Sequence, residues 1–452
     1  MFYQRKIYEK LLKWKNESRG EKALLIEGAR RVGKSTAVEK FAQNEYESYL
    51  LIDFSKTSAR VKNIFRNHLD DIDLFYLLLE AELKSSLVKR KSLLVFDEVQ
   101  KFPRAREAVK TLVADGRYDL IETGSLISIR ENSADILIPS EEKSISMYPM
   151  DFEEFCIACG EEGLLSYIRD CFNKLSPLED SVHRKAMLLL KQYMIVGGMP
   201  QSVKAYLENG KSFIHADREK RDILNLYRND IRKISRKYKT KVLQVFEQIP
   251  GFLSTKEKRV VLNKMEGNPQ FDSYSEAFFW LADSMIVNEC FNCSDPNVGL
   301  SLNEDRTYIK CYMGDTGLLI SHTFSEKEIS EGELYRTLLN DRLSINKGMF
   351  FENLAAQMLS ANGFELFFYT HYSNEKHRND IEIDFLVSNG SKTKFKVNPI
   401  EVKSSKNYTV LSLDAFKNKF NNRIGTSYVV HPKNLKIEND TVFLPVYMTY
   451  LL

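Results

Sequence analysis

The stretch that decides the fold reads Gly28-Ala29-Arg30-Arg31-Val32-Gly33-Lys34-Ser35. It fits the phosphate-loop pattern G-x-x-x-x-G-K-[ST] at every defined position. Glycines let such a loop curl until consecutive N–H groups point at phosphate oxygens, and the N-terminus of a following helix adds a favourable field for anions. The apolar run Ala23–Glu27 precedes the loop and the helical pattern Ser35–Gln43 follows it. A chance match in a surface loop would lack these flanking elements, so the sequence predicts a phosphate site.

Each part of the loop has an expected role in holding a nucleoside triphosphate. The backbone should wrap the phosphates, Lys34 should bridge the β- and γ-phosphates, and the Ser35 hydroxyl should bind Mg²⁺. ATP and Mg²⁺ are therefore the predicted cofactors. The predicted nucleotide-binding set is Gly28, Ala29, Arg30, Arg31, Val32, Gly33, Lys34, Ser35 and Thr36.

Two acids complete the predicted site. The apolar strand pattern from Leu93 ends at Asp97-Glu98, and acids beside a buried strand are costly unless they have a partner. Asp97 is expected to hold Mg²⁺ opposite Ser35, and Glu98 to orient and deprotonate the attacking water. This glutamate favours hydrolysis over transfer to a substrate hydroxyl. At the end of the next strand, Thr123 or Ser125 is expected to sense the γ-phosphate, with Thr123 ranked first; a polar turn cap is the alternative.

Composition narrows the possible classes of protein. The chain has 452 residues, of which 43% are hydrophobic and 28% charged, with a formal charge of +3. About three domains are expected at this length. The start has no apolar core of signal-peptide length and no later stretch is long enough to span a bilayer, so a cytoplasmic location is expected.

The six cysteines include two Cys-x-x-Cys pairs, Cys156/Cys159 and Cys290/Cys293. Two such pairs can supply four thiolates to zinc. Here they lie far apart in the sequence, and neither has a nearby histidine or a glycine knuckle. We therefore expect reduced, buried or half-buried thiols and no zinc.

The pattern of elements predicts an α/β fold. Short apolar strands alternate with helices up to Pro149, which indicates a parallel sheet covered on both faces. The chain is then mostly helical to Ile249. A helix, Tyr274–Ser284, and a strand-like segment follow, and mixed α/β patterns return over the last hundred residues, including helix Lys347–Leu359.

Several strings together resemble a prokaryotic AAA+ family whose members join an ATPase module to a C-terminal domain of unknown function. Besides the phosphate loop, these are Val95–Gln100, Thr123–Ser125, Met147–Phe155 and Gly197–Pro200. The resemblance runs over nearly the whole chain. It implies an AAA+ core at residues 1–155, a helical lid at 156–215, a winged-helix-like segment at 216–300 and a restriction-endonuclease-like α/β domain at 301–452.

The same resemblance implies a homo-oligomer, most simply a hexameric ring, in which an arginine from one subunit completes the ATP site of its neighbour. Many relatives carry a Gly-Arg pair ahead of the Tyr-Pro string, but this chain has residues 138–144 without one. Arg130 is the first substitute for this catalytic arginine, with Arg104 and Arg106 behind it. A solvated surface arginine is the alternative for each.

Four residues near the C-terminus form a second candidate site. Glu352 lies in a helical pattern, Asp384 in the apolar strand Ile381–Val387, and Glu401 and Lys403 two apart on the next strand, hence on one face. They look like the PD-(D/E)xK nuclease core, in which Asp384 and Glu401 would bind a second Mg²⁺ with Glu352 and Lys403 beside it. A solvated strand face with ordinary ion pairs, or a fold kept for gripping DNA without cleaving it, is the alternative.

Basic residues gather in two places in these modules, and both clusters favour DNA as partner. The first cluster comprises Arg232, Lys233, Arg236, Lys237, Lys239, Lys241, Lys256, Lys258 and Arg259, and the second Lys392, Lys394, Lys396, Lys403, Lys406, Lys417 and Lys419. The leading hypothesis is an ATPase that moves or remodels duplex or branched DNA, with Holliday junctions in recombination or repair preferred by analogy. The alternatives are an ATP-controlled, Mg²⁺-dependent nuclease in defence, and a nucleotide-dependent signalling switch with a protein-binding C-terminal domain.

Overall fold

The computed structural model describes residues 3–124, 141–255, 258–260, 274–297, 299–324, 347–375, 377–388 and 396–452, with only the backbone of residues 236–237. Contacts between Cα atoms divide the chain into two compact units, Phe2–Tyr148 and Pro149–Leu452.

The N-terminal unit alternates strands with helices. Its strands are β1 (Ala23–Glu27), β2 (Ser48–Asp53), β3 (Ser92–Asp97), β4 (Asp119–Gly124) and β5 (Glu142–Ser146). Its helices are α1 (Ile7–Ser18), α2 (Lys34–Glu45), α3 (Ala59–Asn67), α4 (Ile72–Leu83) and α5 (Arg104–Asp115).

These strands form one five-stranded sheet in the order β2-β3-β4-β1-β5, and every neighbouring pair is parallel. Strands β3 and β4 are buried along their whole length, because helices cover both faces of a parallel sheet. Packed aromatic rings, including Phe54, Phe65 and Phe96, fill part of the core on one side. The predicted parallel sheet of the N-terminal part is confirmed.

The C-terminal unit begins with helices and ends with a large sheet. Its helices are α6 (Phe152–Ala158), α7 (Glu162–Lys174), α8 (Asp180–Val196), α9 (Pro200–Glu208), α10 (Phe213–Ile231), α11 (Arg236–Leu253), α12 (Ser275–Asp283), α13 (Thr316–Thr323), α14 (Lys347–Ala361) and α15 (Leu411–Lys419). Its strands are β6 (Val287–Cys293), β7 (Glu304–Met313), β8 (Leu366–Ser373), β9 (Arg378–Val387), β10 (Asn398–Val402), β11 (Ser427–His431), β12 (Lys436–Glu438) and β13 (Thr441–Pro445).

The eight strands pair in the order β12-β13-β11-β10-β9-β8-β6-β7, in a mixed parallel and antiparallel sheet. Strand β6 precedes the predicted boundary at residue 300, yet it pairs with β7 and β8, which follow it. Alternate residues of β9 face opposite sides: Ile383 joins the apolar core that includes Phe416 of α15, whereas Asp384 faces Lys310. The lid, winged-helix-like and nuclease-like divisions of residues 156–452 stay predictions.

The Gly197–Pro200 string has a packing role in this unit. A Cβ on Gly198 would lie 2.0 Å from the Met150 carbonyl oxygen, and one on Gly317 would lie 2.5 Å from the Gly197 backbone. Asp315 caps α13 and accepts a hydrogen bond from Gly198 N at 2.6 Å. Glycine is therefore required because three backbone segments meet without room for side chains.

Candidate functional site

The phosphate loop lies where the sequence predicts it, between β1 and α2. Arg31 and Gly33 both have positive φ, 73° and 97°, which curls the backbone into a concave turn. A Cβ on Gly28 would lie 2.5 Å from the Met147 carbonyl oxygen. Val32 is buried beneath the loop, whereas Arg31 and Thr36 are exposed. The loop thus has the curled shape expected of a phosphate site.

Lys34 lies inside this curl. Its side chain is buried and its Nζ donates hydrogen bonds to the carbonyl oxygens of Gly28 at 2.8 Å and Ala29 at 3.1 Å. Burial lowers the pKa of Lys34 to about 8, although the charges of Glu98 and Asp97 act in the opposite direction. An ammonium group held by neutral carbonyls gains from a phosphate partner, which supplies the missing counter-charge.

Oδ1 of Asp97, at the end of β3, is the acceptor shared by one side chain of α2 and one of β4. It accepts a hydrogen bond from Ser35 Oγ at 2.9 Å and another from Thr123 Oγ1. Strand β4 lies between β1 and β3, so the carboxyl ends of these three neighbours meet at one edge of the sheet. That edge is where open α/β sheets bind ligands. The structure therefore brings together three predicted residues from different elements, Ser35 of α2, Asp97 of β3 and Thr123 of β4.

Glu98 follows β3 in the left-handed conformation, with φ 55°. Its Oε2 accepts a hydrogen bond from Gln100 Nε2 at 2.7 Å. The charge of Glu98 acts on Lys34 and raises its pKa, against the larger effect of burial. Gln100 ends the string Val95–Gln100, which carries part of the family resemblance, but the sequence analysis assigns it no role. Its position two residues after the predicted base is the pattern that could have indicated one.

Arg5 contacts the phosphate loop, and the sequence does not predict this role. It is buried, and its guanidinium donates to the carbonyl oxygens of Val32 at 2.8 Å and Tyr148 at 2.7 Å. It therefore fixes the phosphate loop to the segment that follows β5. No local pattern could signal this role, because both acceptors are backbone atoms far away in the sequence.

The arginine candidates differ in their surroundings. Arg130, like Ser125, lies outside the described residues. Arg104 is exposed and pairs with Glu107 at 2.9 Å. Arg106 of α5 is buried and pairs with Glu122 of β4 at 3.3 Å and with Glu142 of β5 at 3.0 Å. Its charge is therefore neutralised by two carboxylates of the same unit. The structure gives Arg106 the role of a buried counter-ion, not that of an arginine presented to a neighbouring subunit.

Two of the C-terminal candidates, Asp384 and Glu401, lie on neighbouring strands of the large sheet, whereas Lys403 follows β10 and Glu352 lies in α14. Ile400 of β10 lies opposite Phe385 of β9, so Glu401 comes opposite Asp384, and Val402 N donates to Asp384 Oδ2 at 2.8 Å. Lys403 Nζ pairs with Glu401 at 2.8 Å. Burial raises the pKa of Glu401 to about 7, against the opposing effect of Lys403.

Lys310 of β7, which the sequence did not single out, occupies the centre of this acidic group. Its buried Nζ lies 3.1 Å from Glu352 Oε1, 3.6 Å from Asp384 Oδ1 and 3.9 Å from Glu382 Oε1. Glu352 also accepts hydrogen bonds from Lys258 and from Tyr312 OH. Burial alone would raise the pKa of Glu352, but the two lysines lower it to about 2.

This arrangement does not fit a bound Mg²⁺. A divalent ion needs several carboxylate oxygens open to it, yet here lysines of the same chain already neutralise the carboxylates. Among the described residues, no group of three or more His, Cys, Asp or Glu side chains is arranged to hold a metal ion. Lys258, predicted to contact DNA, is instead an internal partner of Glu352.

Other basic residues do lie at the surface. Arg232, Lys233, Lys396, Lys406 and Lys419 are exposed, whereas Lys392, Lys394 and Lys256 lie outside the described residues. Arg232 and Lys233 follow directly after α10, where their local partners are Asn229 and Asp230. All six cysteines are free thiols, of which only Cys159 is not fully buried. In the described part of the chain, no helix is long and apolar enough to cross a membrane.

Family models match three parts of the chain. Residues 20–156 match a family model described as an AAA domain. Residues 187–328 and 347–450 match two domains of unknown function, DUF8612 and DUF4143. The match and the parallel sheet identify residues 20–156 as an AAA domain.

Solved structures with similar folds were also found. They include the Walker-type ATPase PABY2304 of Pyrococcus abyssi (14% identity, 72% of this chain and 96% of that chain, TM-score 0.44). The Aeropyrum pernix Orc1 protein in complex with DNA has 11% identity over 74% and 95%, with TM-score 0.30. AMPPCP-bound DnaA from Aquifex aeolicus has 13% identity over 75% and 96%, with TM-score 0.28. Similarities this low carry no argument about function, and none of the curated proteins matches the chain.

Proposed function

We propose that the N-terminal unit binds Mg-ATP and hydrolyses it to ADP and phosphate. The observation that carries this proposal is the convergence on Asp97 of the Ser35 hydroxyl, from the phosphate loop, and the Thr123 hydroxyl, from the intervening strand. A hydroxyl of the loop facing an acid at the end of a buried strand is the pair that holds Mg²⁺ in phosphate-loop ATPases. When bound there, Mg²⁺ neutralises charge on the phosphate oxygens.

The protein's own groups account for the rest of the reaction. The loop backbone holds the phosphates, and Lys34 exchanges its carbonyl partners for phosphate oxygens. Glu98 takes a proton from the attacking water as the water oxygen bonds to the γ-phosphorus and the bond from that phosphorus to the bridging oxygen breaks. Thr123 orients Asp97 and lies beside the γ-phosphate position.

A second part of the proposal is that hydrolysis drives remodelling or translocation of duplex or branched DNA held by the C-terminal unit. The support is the exposed basic side chains Arg232, Lys233, Lys396, Lys406 and Lys419. Lysine and arginine contacts of this kind bind phosphates and read shape more than base sequence. We propose that the unit holds DNA without cutting it, because Lys310 and Lys258 neutralise the acids that a nuclease would use for Mg²⁺.

The test is an ATPase assay of wild type and Glu98→Gln with no DNA, linear duplex, single-stranded and four-way DNA. We expect Glu98→Gln to bind ATP but to lose turnover by a factor of about 10² or more. Turnover of the wild type should rise with DNA. Turnover that is slow and indifferent to every DNA, with a change of size on ATP binding, would instead favour the signalling switch.

DNA binding itself can be tested with matched charge variants. Removing Arg232 and Lys233 together should weaken binding and reduce the slope of log K against log salt by about 2. Lys185→Ala with Lys204→Ala removes the same charge from exposed helix positions elsewhere and should leave the slope unchanged. Equal slopes for the two double variants would reject this surface as the DNA contact.

Assembly into a hexameric ring is the remaining part of the proposal. Light scattering of Glu98→Gln with Mg-ATP tests it, because this variant should keep ATP bound and hold any nucleotide-dependent assembly. A mass that stays at one subunit across protein concentrations would reject the ring, and with it an arginine supplied in trans.

A further inference from the structure

The side-chain amide of Gln100 has two features that are not explained by packing in the core. One end of its side-chain amide donates to the carboxylate of Glu98, with Nε2 2.7 Å from Oε2. The other end, Oε1, is buried and has no hydrogen-bond partner among the described residues. Both features belong to one residue, two positions after the acid to which we assign the proton.

The orientation of this amide follows from chemistry. A carboxylate accepts hydrogen bonds and cannot donate them, so the nitrogen must face Glu98 and the oxygen must face away from that contact. The two amide atoms share one carbon, which keeps Oε1 within about 5 Å of the Glu98 carboxylate. A buried acceptor needs a donor, and a water bound beside Glu98 is able to supply one.

We propose that Gln100 positions the hydrolytic base: it holds Glu98 by one oxygen, leaves the other for the attacking water, and accepts a second hydrogen bond from that water. This inference rests on the proposed ATP hydrolysis and adds a residue to it. Glu98 itself lies in the left-handed region, with φ 55°, where a non-glycine residue carries strain. The hydrogen bond from Gln100 holds the Glu98 carboxylate in one of the orientations that its side chain can adopt.

The chemistry separates this role from nucleotide binding. In the described structure the side-chain hydrogen bond of Gln100 goes to Glu98, whereas Lys34 and Ser35 belong to the loop and its helix. Removing the amide should leave the phosphates held as before while the base loses its fixed orientation. The expected signature is thus a fall in kcat with unchanged affinity for ATP.

The experiment uses Gln100→Met in the full chain, because methionine has a similar length and no amide. We expect kcat to fall about 10- to 100-fold while the Kd of a non-hydrolysable ATP analogue and the melting temperature stay within error of wild type. Gln100→Glu, which keeps the shape but places a second carboxylate against Glu98, should lose at least as much. The exposed Gln43→Met in α2 is the matched control and should keep full activity.

A double variant separates this inference from the proposed function. If Glu98→Gln lowers turnover to a residual rate that can still be measured, adding Gln100→Met should lower that rate no further, because Gln100 acts through Glu98. Wild-type kcat in Gln100→Met, or equal losses of kcat, affinity and melting temperature, would overturn the inference alone. Full turnover in Glu98→Gln would overturn the proposed function itself.

Discussion

Gly28 shows how a single atom controls the phosphate loop. A Cβ at this position would lie 2.5 Å from the Met147 carbonyl oxygen and 3.2 Å from Val32 Cγ2. Since the nearer atom belongs to the backbone, the loop has to move. We predict that Gly28→Ala weakens ATP binding at least about 10-fold, or 1.4 kcal/mol, in a titration with a fluorescent analogue. Gly163→Ala, where the added methyl meets nothing within 4 Å, should bind ATP as wild type does.

Glu289 in β6 gives a pH dependence that does not involve the ATP site. Burial, together with the charges of Asp283 and Glu304, raises the pKa of Glu289 to about 7, although Arg306 opposes this shift. The folded state therefore binds the proton more tightly than the unfolded chain, whose value is 4.5. The resulting stability is fully present below about pH 4.5 and is lost as pH rises through about 7.

The corresponding prediction compares wild type with Glu289→Gln. Between pH 4.5 and pH 8 the wild type should lose up to about 3 kcal/mol of unfolding free energy relative to the variant, which has no carboxyl to ionise there. Urea unfolding followed by circular dichroism at the two pH values measures this difference. Parallel pH dependences of the two proteins would show that Glu289 titrates normally.

At the scale of elements, Lys310 ties β7 to α14 and β9. Its Nζ contacts Glu352 of α14 at 3.1 Å and Asp384 of β9 at 3.6 Å. Removing one partner of a buried ion pair leaves the other charge uncompensated, at a cost of about 3 to 5 kcal/mol. We predict such losses for Lys310→Met and for Glu352→Gln, and a loss in the double variant that is smaller than their sum. Urea unfolding in the presence and absence of Mg²⁺ tests this, since a metal site would make the double-mutant cycle depend on Mg²⁺.

The elements that the sequence revealed are those with a clear local pattern. Strands β1, β3 and β4 are buried along nearly their whole length, and their apolar runs are visible without any knowledge of their neighbours. The sequence does not predict strand β7, because its first half is half-buried or exposed and contains three charged residues, while only its second half is buried. Missing β7 also meant missing Lys310.

The same distinction applies to the candidate sites. The loop and Asp97-Glu98 could be predicted because their chemistry fixes residue types at fixed spacing. Arg5, with backbone acceptors at Val32 and Tyr148, and Lys310 carry no such spacing, because their partners come from distant segments. The acids of the C-terminal sheet and Lys403 are predicted from the sequence, but Lys310 is not, and Lys258 is assigned to DNA instead of to Glu352. These two lysines decide whether a metal fits.

At the scale of the whole molecule, we expect ATP to stabilise the two compact units to different extents. All the proposed ATP ligands that the structure describes lie in Phe2–Tyr148, which has its own parallel sheet and apolar core. A ligand that binds one folded unit stabilises that unit by RT ln(1 + [L]/Kd), about 2.7 kcal/mol at a hundred times the Kd. The C-terminal unit is stabilised by ATP only to the extent that its unfolding is coupled to that of the N-terminal unit.

We therefore predict two thermal transitions in calorimetry of the full chain, of which Mg-ATP raises one. The experiment is best done with Glu98→Gln, so that the nucleotide is not consumed during the scan. Adding Lys34→Ala should remove the shift, because the ammonium that meets the phosphates is lost, while the other transition stays in place as an internal reference. A single transition that moves as a whole would mean that the two units unfold together. ATP bound to the N-terminal unit would then stabilise the C-terminal unit as well.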